Sequence, residues 1–236
     1  MRNIILILVI LSSNYLLSQK TSKEEVVKRG IEKMDNQDFK GALMDFKLAF
    51  ILDRNDPKVY KLKADARGSL GMFNLAIKDY NEAIELNPKY IAAYISRGEA
   101  KNSLGHHKKA ILDFNEVIKL DSKYEDAYLN RGISKFKLED YVGATSDLNK
   151  VIELNGNNEQ AYFIRGVIKY KSKNYKDAIL DLNKVIELNP KNTQAYLVRG
   201  GARFELDNIN GACLDWSKAG ELGSGSAYEL IKEHCN

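Results

Sequence analysis

The chain has 236 residues, two cysteines and a formal net charge of +4. Its 36 basic and 32 acidic residues are interspersed, without a long run of one sign. A protein dedicated to nucleic acid would concentrate its basic residues on one surface. The composition therefore predicts no nucleic-acid partner, and the length is compatible with a single domain.

The N-terminal segment differs from the rest of the chain. Arg2 supplies a positive charge, and residues 4–11 form an unbroken apolar run. This pattern is typical of a secretory signal peptide, and we predict one over residues 1–19, with cleavage near Ser18 or Gln19. The alternative is a membrane anchor, but a spanning helix needs roughly 18 apolar residues. We expect a bacterial protein that is exported to the periplasm or the cell exterior, with no stable membrane span after signal removal.

A period of 34 residues organises the remainder of the chain, because the stretch 92–125 returns at 126–159 and at 160–193. Every copy has an alanine followed three residues later by an aspartate and then by a large apolar residue. A fixed period of this length indicates a solenoid of repeated units. The six copies are 24–57, 58–91, 92–125, 126–159, 160–193 and 194–227.

These columns of residues resemble the tetratricopeptide repeat family. The resemblance implies an all-α fold in which each repeat is a pair of antiparallel helices, and the pairs stack into a right-handed superhelical solenoid with a concave groove. The residues support this without the family. Small Gly and Ala side chains allow helices to approach closely, and apolar residues at three- and four-residue spacing give each helix one buried stripe.

The end of the chain predicts a capping helix over residues 227–236, which would shield the last repeat from solvent. If this helix folds back on the last repeat, the Gly-rich turn near residue 224 lies midway between Cys213 and Cys235 and brings their sulfurs level. In an exported protein we expect such a pair to form a disulfide. The alternative is a buried Cys213 with a free Cys235.

Basic residues also recur with the period, in pairs four residues apart that share one face of the first helix. The aspartate column lies on the second helix. We predict an Arg–Asp ladder in which each guanidinium holds a carboxylate through two hydrogen bonds. Its role would be registry more than net stability. The alternative is a cationic stripe that binds an anionic partner. The proposed ladder residues are Arg97, Arg131, Arg165, Arg199, Asp113, Asp147, Asp181 and Asp215.

Sequence patterns for catalysis are missing. We find no Gly-rich phosphate loop, nucleophile elbow or zinc-ligand spacing. His106 and His107 are adjacent, so their side chains would point apart on a helix. An enzyme would need a polar cluster that occurs once, whereas the candidate acids and bases recur in each repeat. The sequence therefore predicts no enzyme, no catalytic residue, no cofactor and no metal.

In the resembled family the first helix of each pair lines the groove. Flanking positions on these helices are apolar in repeats 4 to 6 and more polar in repeats 2 and 3, which predicts a groove for a protein or peptide. Alternatively, some of these side chains bury against the next repeat. We expect a non-catalytic exported scaffold, or else a self-associating, homo-oligomeric component of an envelope complex. The groove residues are Leu129, Ile133, Phe136, Phe163, Val167, Tyr170, Leu197 and Phe204.

Overall fold

The computed structural model of the protein describes residues 22–235, which form helices and no strand. The predicted signal peptide lies outside this range. No helix in the described range is long and apolar enough to cross a membrane. The thirteen helices of this described range are α1 Lys23–Asp35, α2 Phe39–Leu52, α3 Pro57–Ser69, α4 Phe73–Leu86, α5 Ile91–Ser103, α6 His107–Leu120, α7 Glu125–Lys137, α8 Tyr141–Leu154, α9 Glu159–Lys171, α10 Tyr175–Leu188, α11 Thr193–Phe204, α12 Ile209–Glu221 and α13 Gly225–His234.

The described residues group into two compact units, 22–100 and 101–235, and the division falls inside α5. In chain order α1 to α12 form six pairs, and α13 follows the sixth pair. Within each unit, consecutive helices pack on one another. The first helix of every pair begins one residue before the repeat boundary drawn from the sequence, and α13 begins two residues before residue 227.

Side-chain caps explain where several helices begin. Ser22 Oγ accepts a hydrogen bond from the Glu25 N–H, and the Glu25 carboxylate accepts one from the Ser22 N–H, which forms a capping box at α1. Asp56 caps α3, whose first residue is Pro57. Proline suits this position because its missing N–H would have no partner inside the helix.

The turn between the two helices of each pair contains one residue with positive φ. Two of these residues are glycines, Gly71 and Gly105, each with a φ of 73°. The other four have side chains and φ values between 58° and 61°, although most such residues disfavour this region. The hairpin geometry is therefore imposed by packing rather than by the turn residue. These four are Gln37, Glu139, Lys173 and Asp207.

The core of each pair is built where a large side chain on the second helix meets a small residue on the first. Phe46 packs beneath Gly30, Leu148 beneath Gly132 and Trp216 beneath Gly200, and these three large side chains are buried. The alanine of the period is fully buried in every copy. Because each large residue needs a small one opposite, the two columns fix how closely the paired helices approach.

We predict that Gly200→Ala destabilises the protein. A Cβ at residue 200 would lie 2.5 Å from Trp216 Nε1, and Trp216 is a large ring that is only 2 % exposed. Overpacking of this kind costs about 1–3 kcal/mol. Urea unfolding followed by circular dichroism measures the change.

Gly132→Ala is the matched control. Its added Cβ would meet Leu148 and Asp147 at 3.4 Å, an ordinary contact. Alanine is favoured over glycine inside a helix by about 1 kcal/mol, so the control should be neutral or stabilised. If Gly200→Ala is as stable as Gly132→Ala, with no loss relative to the unmodified protein, Trp216 does not require a glycine opposite it.

Candidate functional site

The aspartate column lies between the two helices of each pair and is almost removed from solvent. Asp147 is 3 % exposed and accepts two hydrogen bonds from Arg131, from Nε at 2.9 Å and from Nη2 at 2.5 Å. Lys135, one turn further along α7, places Nζ 2.8 Å from the same carboxylate. One buried carboxylate therefore contacts two cations from the facing helix.

The same arrangement recurs in the next two pairs. Arg165 holds Asp181 through Nε at 2.9 Å and Nη2 at 2.6 Å, and Arg199 holds Asp215 at the same two distances. The second cation is Lys169 at 2.7 Å from Asp181, and Arg203 at 2.8 Å from Asp215. The structure thus brings together three of the predicted Arg–Asp pairs, each with a second base.

The first unit uses variants of this arrangement. Arg29 and Lys33 both contact Asp45, with Lys33 Nζ at 2.8 Å. In the second pair Lys63 Nζ lies 3.3 Å from Asp79. The guanidinium contact comes instead from Arg67, one turn later, whose Nη1 donates one hydrogen bond to the same carboxylate.

The remaining predicted pair, Arg97 and Asp113, has one residue in each unit. Within the first unit, Arg97 Nη1 donates to Asn81 Oδ1 at 2.8 Å. Within the second, Lys101 Nζ donates to Asp113 Oδ2 at 2.6 Å. Asp113 is 2 % exposed, so it is buried like the other aspartates of the column.

A second polar column, which the sequence reasoning missed, joins successive pairs. Arg131 Nη1 donates to Asn115 Oδ1 at 2.7 Å, and Asn115 lies on α6 of the preceding pair. Arg165 reaches Asn149 and Arg199 reaches Asn183 in the same way, both at 2.6 Å. The signal was present in the sequence, since an asparagine follows two residues after the aspartate in copies 2 to 5. Each of these arginines thereby links its own pair to the one before it.

The tyrosine of the period supports the same guanidinium groups. The Arg131 guanidinium carbon lies 5.4 Å from the centre of the Tyr128 ring, and the distances from Arg165 to Tyr162 and from Arg199 to Tyr196 are also 5.4 Å. A cation over an aromatic face is attracted by the ring quadrupole. Each arginine is therefore held by a carboxylate, an amide and an aromatic ring, which leaves it poorly placed to bind an external anion.

Electrostatics differ between the two pairs of the first unit. The Arg29 guanidinium holds the pKa of Asp45 below its usual value, whereas burial raises the pKa of Asp79 above it. At Asp45 the hydrogen bonds from Arg29 outweigh the effect of burial on the pKa, whereas at Asp79 burial outweighs the contacts with Lys63 and Arg67. In the second unit, hydrogen bonding to Asp181 raises the pKa of Arg165.

The structure also contains a polar cluster that occurs once, although the sequence suggested none. Tyr80 donates its hydroxyl hydrogen to Asp65 Oδ1 at 2.8 Å, and Lys61 Nζ lies 2.7 Å from Asp65 Oδ2. Burial raises the pKa of both Asp65 and Tyr80. The sequence analysis missed this cluster because Tyr80 occupies a column that is otherwise apolar. Both carboxylate oxygens of Asp65 have a partner, and the Tyr80 hydroxyl has an acceptor. The cluster therefore allows a tyrosine to be buried in the core.

The eight predicted groove residues lie on the first helices of pairs 4 to 6, and all are half-buried. Several pack within the fold. The centre of the Phe204 ring lies 4.5 Å from that of His234 and 5.8 Å from that of Trp216. The ring centres of Tyr170 and Tyr175 are 5.6 Å apart. The others that pack against buried clusters are Leu129, Ile133, Phe136, Phe163 and Leu197.

These residues therefore join neighbouring helices and keep only part of their surface for a ligand. A cavity of about 380 Å³ in the second unit is lined partly by Val142 and Ile168, and one of about 430 Å³ along α1 by Val27 and Ile31. Neither cavity is lined by a predicted groove residue. These two cavities therefore do not coincide with the positions that the sequence favoured.

The C-terminal helix is covalently attached to the last pair. Cys213 on α12 and Cys235, directly after α13, form a disulfide with their Cα atoms 5.8 Å apart. α13 packs on α12, and His234 adds its ring to Phe204 and Trp216. His107 Nδ1 lies within hydrogen-bond distance of Asn102 Oδ1, at 3.0 Å. Within residues 22–235 no group of three or more His, Cys, Asp or Glu side chains is placed to hold a metal ion.

Models of one protein family match three of the six pairs. The models are described as tetratricopeptide repeat and match residues 57–90, 91–124 and 159–192. These three pairs are tetratricopeptide repeats. Repeats 1, 4 and 6 lie outside the matched ranges, and repeat 1 has Val26 in place of the tyrosine. They keep the buried alanine and aspartate columns all the same.

Several solved structures share this fold, and two of the three described here are of tetratricopeptide repeat proteins. PilF of Pseudomonas aeruginosa has a TM-score of 0.78 at 15% identity, over 89% of this chain and 97% of PilF. A repeat protein of Parabacteroides merdae has a TM-score of 0.68 at 20% identity, over 91% and 99% of the two chains. YrrB, described as having an unusual peptide-binding site, has a TM-score of 0.67 at 22% identity, over 80% and 97%. Comparison with curated proteins gives no match.

Reduction of the disulfide should lower the melting temperature of this repeat protein. The bridge spans 22 residues, and closing a loop of this length contributes about 3 kcal/mol in the chain-entropy model. Intact mass after alkylation should show no modified thiol before reduction and two after it, and circular dichroism gives the melting temperature. A variant with Cys213→Ser and Cys235→Ser is the control, whose melting temperature should not respond to the reductant. Two alkylated thiols in the native protein would contradict the bridge.

Proposed function

We propose that the chain is an exported, non-catalytic scaffold that binds a protein or a peptide along the first helices of its second unit. The observation that carries this proposal is a change from polar to apolar residues in two columns of the first helices. Where repeat 2 has Lys61 and Asp65, repeats 4 and 5 have Leu129 and Ile133, and Phe163 and Val167. These apolar side chains remain half-exposed, and partly exposed apolar rows on a rigid frame commonly mark binding surfaces.

The architecture supports binding of an extended or helical segment rather than a small molecule. Repeat arrays present long surfaces that are formed by successive units. The ladder fixes the frame from within, so the side chains on the first helices are positioned before a ligand arrives. Preorganisation of this kind reduces the entropic cost of binding. YrrB, which has the same fold, is described as having a peptide-binding site.

Two features support export. The apolar run at residues 4–11 follows a basic residue, as in a secretory signal peptide. The disulfide between Cys213 and Cys235 is a bond that persists in oxidising compartments and is rare in the cytosol. We therefore place the scaffold in the periplasm or outside the cell.

A second candidate function is self-association within an envelope complex. It is favoured by leucines that recur in one column of the second helices and point to solvent. Leu112 is 63% exposed, Leu180 is 64% exposed and Leu214 is 71% exposed. The column lies on the opposite helices of the pairs from the predicted groove, so position-specific crosslinking distinguishes the two functions.

A photocrosslinking amino acid at Val167, expressed in the full-length chain in native cells, should form an adduct with a different protein. The same amino acid at Leu180 is the control and should give no such adduct, because Leu180 lies on the second helix. Mass spectrometry identifies the products. An adduct with a second copy of this chain would favour self-association, and adducts from Leu180 alone would contradict binding along the first helices.

A further inference from the structure

The outward side of α2 is apolar, although it faces solvent. Met44 is 71% exposed, Leu48 is 38% exposed and Ile51 is 64% exposed. The three residues are spaced by four and three positions, so they form one stripe along the helix. A helix that is apolar on its buried side and also on its outward side is unusual at a protein surface.

The other repeats provide an internal comparison for this stripe. At the positions of Leu48 and Ile51, all five later repeats have charged residues. In repeats 4 to 6 these are a lysine and a glutamate three residues later that form exposed ion pairs, as Lys150 and Glu153 do at 2.7 Å. The fold therefore tolerates charge at both positions. Leu48 and Ile51 are therefore not needed as apolar residues for the hairpin, and repeat 1 alone has apolar residues at these two positions.

The charges beside the stripe are all positive. Lys40 and Lys47 are exposed and lie seven residues apart along one edge of α2. Arg54 is also exposed and follows the end of the helix, next to Asp53, whose carboxylate is bound by Lys23. The one carboxylate within α2, Asp45, is buried and bound to Arg29 and Lys33. The α2 outer face, defined as Lys40, Met44, Lys47, Leu48, Ile51 and Arg54, thus offers apolar contacts and positive charge only.

We infer that the α2 outer face docks an α-helix of a partner protein, and that this helix has an apolar stripe with carboxylates along one edge. Spacing of three and four residues is the pattern by which two helices pack side by side, and charges flanking it select the partner. This surface is separate from the predicted groove and adds a second contact to the proposed scaffold.

The charge pattern disfavours other occupants. A second copy of the chain would bring three more cations and no exposed carboxylate from its own α2 outer face. A helix that binds a lipid surface would have basic residues on both sides of its apolar stripe, whereas the basic residues of α2 lie along one edge. A helix with an acidic edge satisfies the apolar and the charged parts together.

The test uses a designed amphipathic peptide as the probe. It has leucine and isoleucine at three- and four-residue spacing and glutamates along one edge of this apolar stripe. A control peptide has lysines in place of the glutamates. Fluorescence anisotropy with the full-length protein should show the acidic peptide binding about tenfold more tightly, since three exposed ion pairs of about 0.5 kcal/mol each correspond to that ratio. High salt should reduce the difference.

The matched variant is Leu48→Lys with Ile51→Glu, which installs the ion pair of repeats 4 to 6 and should fold normally by circular dichroism. It should lose binding of the acidic peptide. Leu180→Lys, at an exposed leucine elsewhere, should keep it. Loss of peptide binding in Val167→Lys but not in the double variant would assign the peptide to the groove and contradict the inference.

Several results would overturn the inference. Equal binding of the two peptides, or no loss in the double variant, would exclude selection by the α2 outer face. Light scattering that shows a dimer abolished by the double variant would assign the face to a second copy. Flotation with phosphatidylglycerol vesicles that depends on Leu48 and Ile51, without peptide binding, would assign it to a membrane. A crosslink from residue 48 to residues 1–21 of the same chain would assign it to that segment.

Discussion

Each helix pair removes a carboxylate from water, and the rest of the structure depends on how that charge is compensated. An unpaired buried carboxylate is expensive, and even a paired one repays its desolvation imperfectly. Here the compensation comes from two bases on the facing helix, one turn apart, as with Arg131 and Lys135 at Asp147. Only one relative position of the two helices allows both contacts. The aspartate column therefore sets the register of the hairpin, while the small residues opposite Phe46, Leu148 and Trp216 set its spacing.

The arginine extends this constraint from one pair to the next. Its second terminal nitrogen donates to an asparagine on the preceding repeat, as Arg165 does to Asn149. Within residues 22–235 every buried side-chain nitrogen and oxygen has a hydrogen-bond partner. A polar interior is tolerable when it is fully partnered, and it can specify one arrangement where apolar packing would permit several. The positions of the helices are thereby fixed, so their surface residues can differ from repeat to repeat without loss of the fold.

The features that recur with the 34-residue period could be predicted from the sequence, whereas the features that occur in a single repeat could not. Helix pairs, the buried aspartates and the facing arginines all follow from columns that are visible in the chain. In repeat 2, Lys63 stands where the other repeats have arginine. The guanidinium that binds the buried aspartate therefore comes from Arg67, one turn later. The hydrogen bond between Tyr80 and Asp65 depends on a side chain crossing between helices, which no spacing rule gives. The exposure of the groove residues could not be predicted from the sequence either, because a residue such as Phe136 divides its surface between solvent and neighbouring helices.

The ladder itself is tested most directly by the coupling energy between Arg165 and Asp181. Replacing each residue singly and both together, with Met for Arg165 and Asn for Asp181, gives a double-mutant cycle in urea unfolding. We expect a coupling of about 2 kcal/mol, because both side chains are shielded and joined by two hydrogen bonds. The exposed pair Lys184 and Glu187, 2.6 Å apart, should give about 0.5 kcal/mol. Equal coupling in the two cycles would mean that the buried carboxylates do not hold the repeats in register.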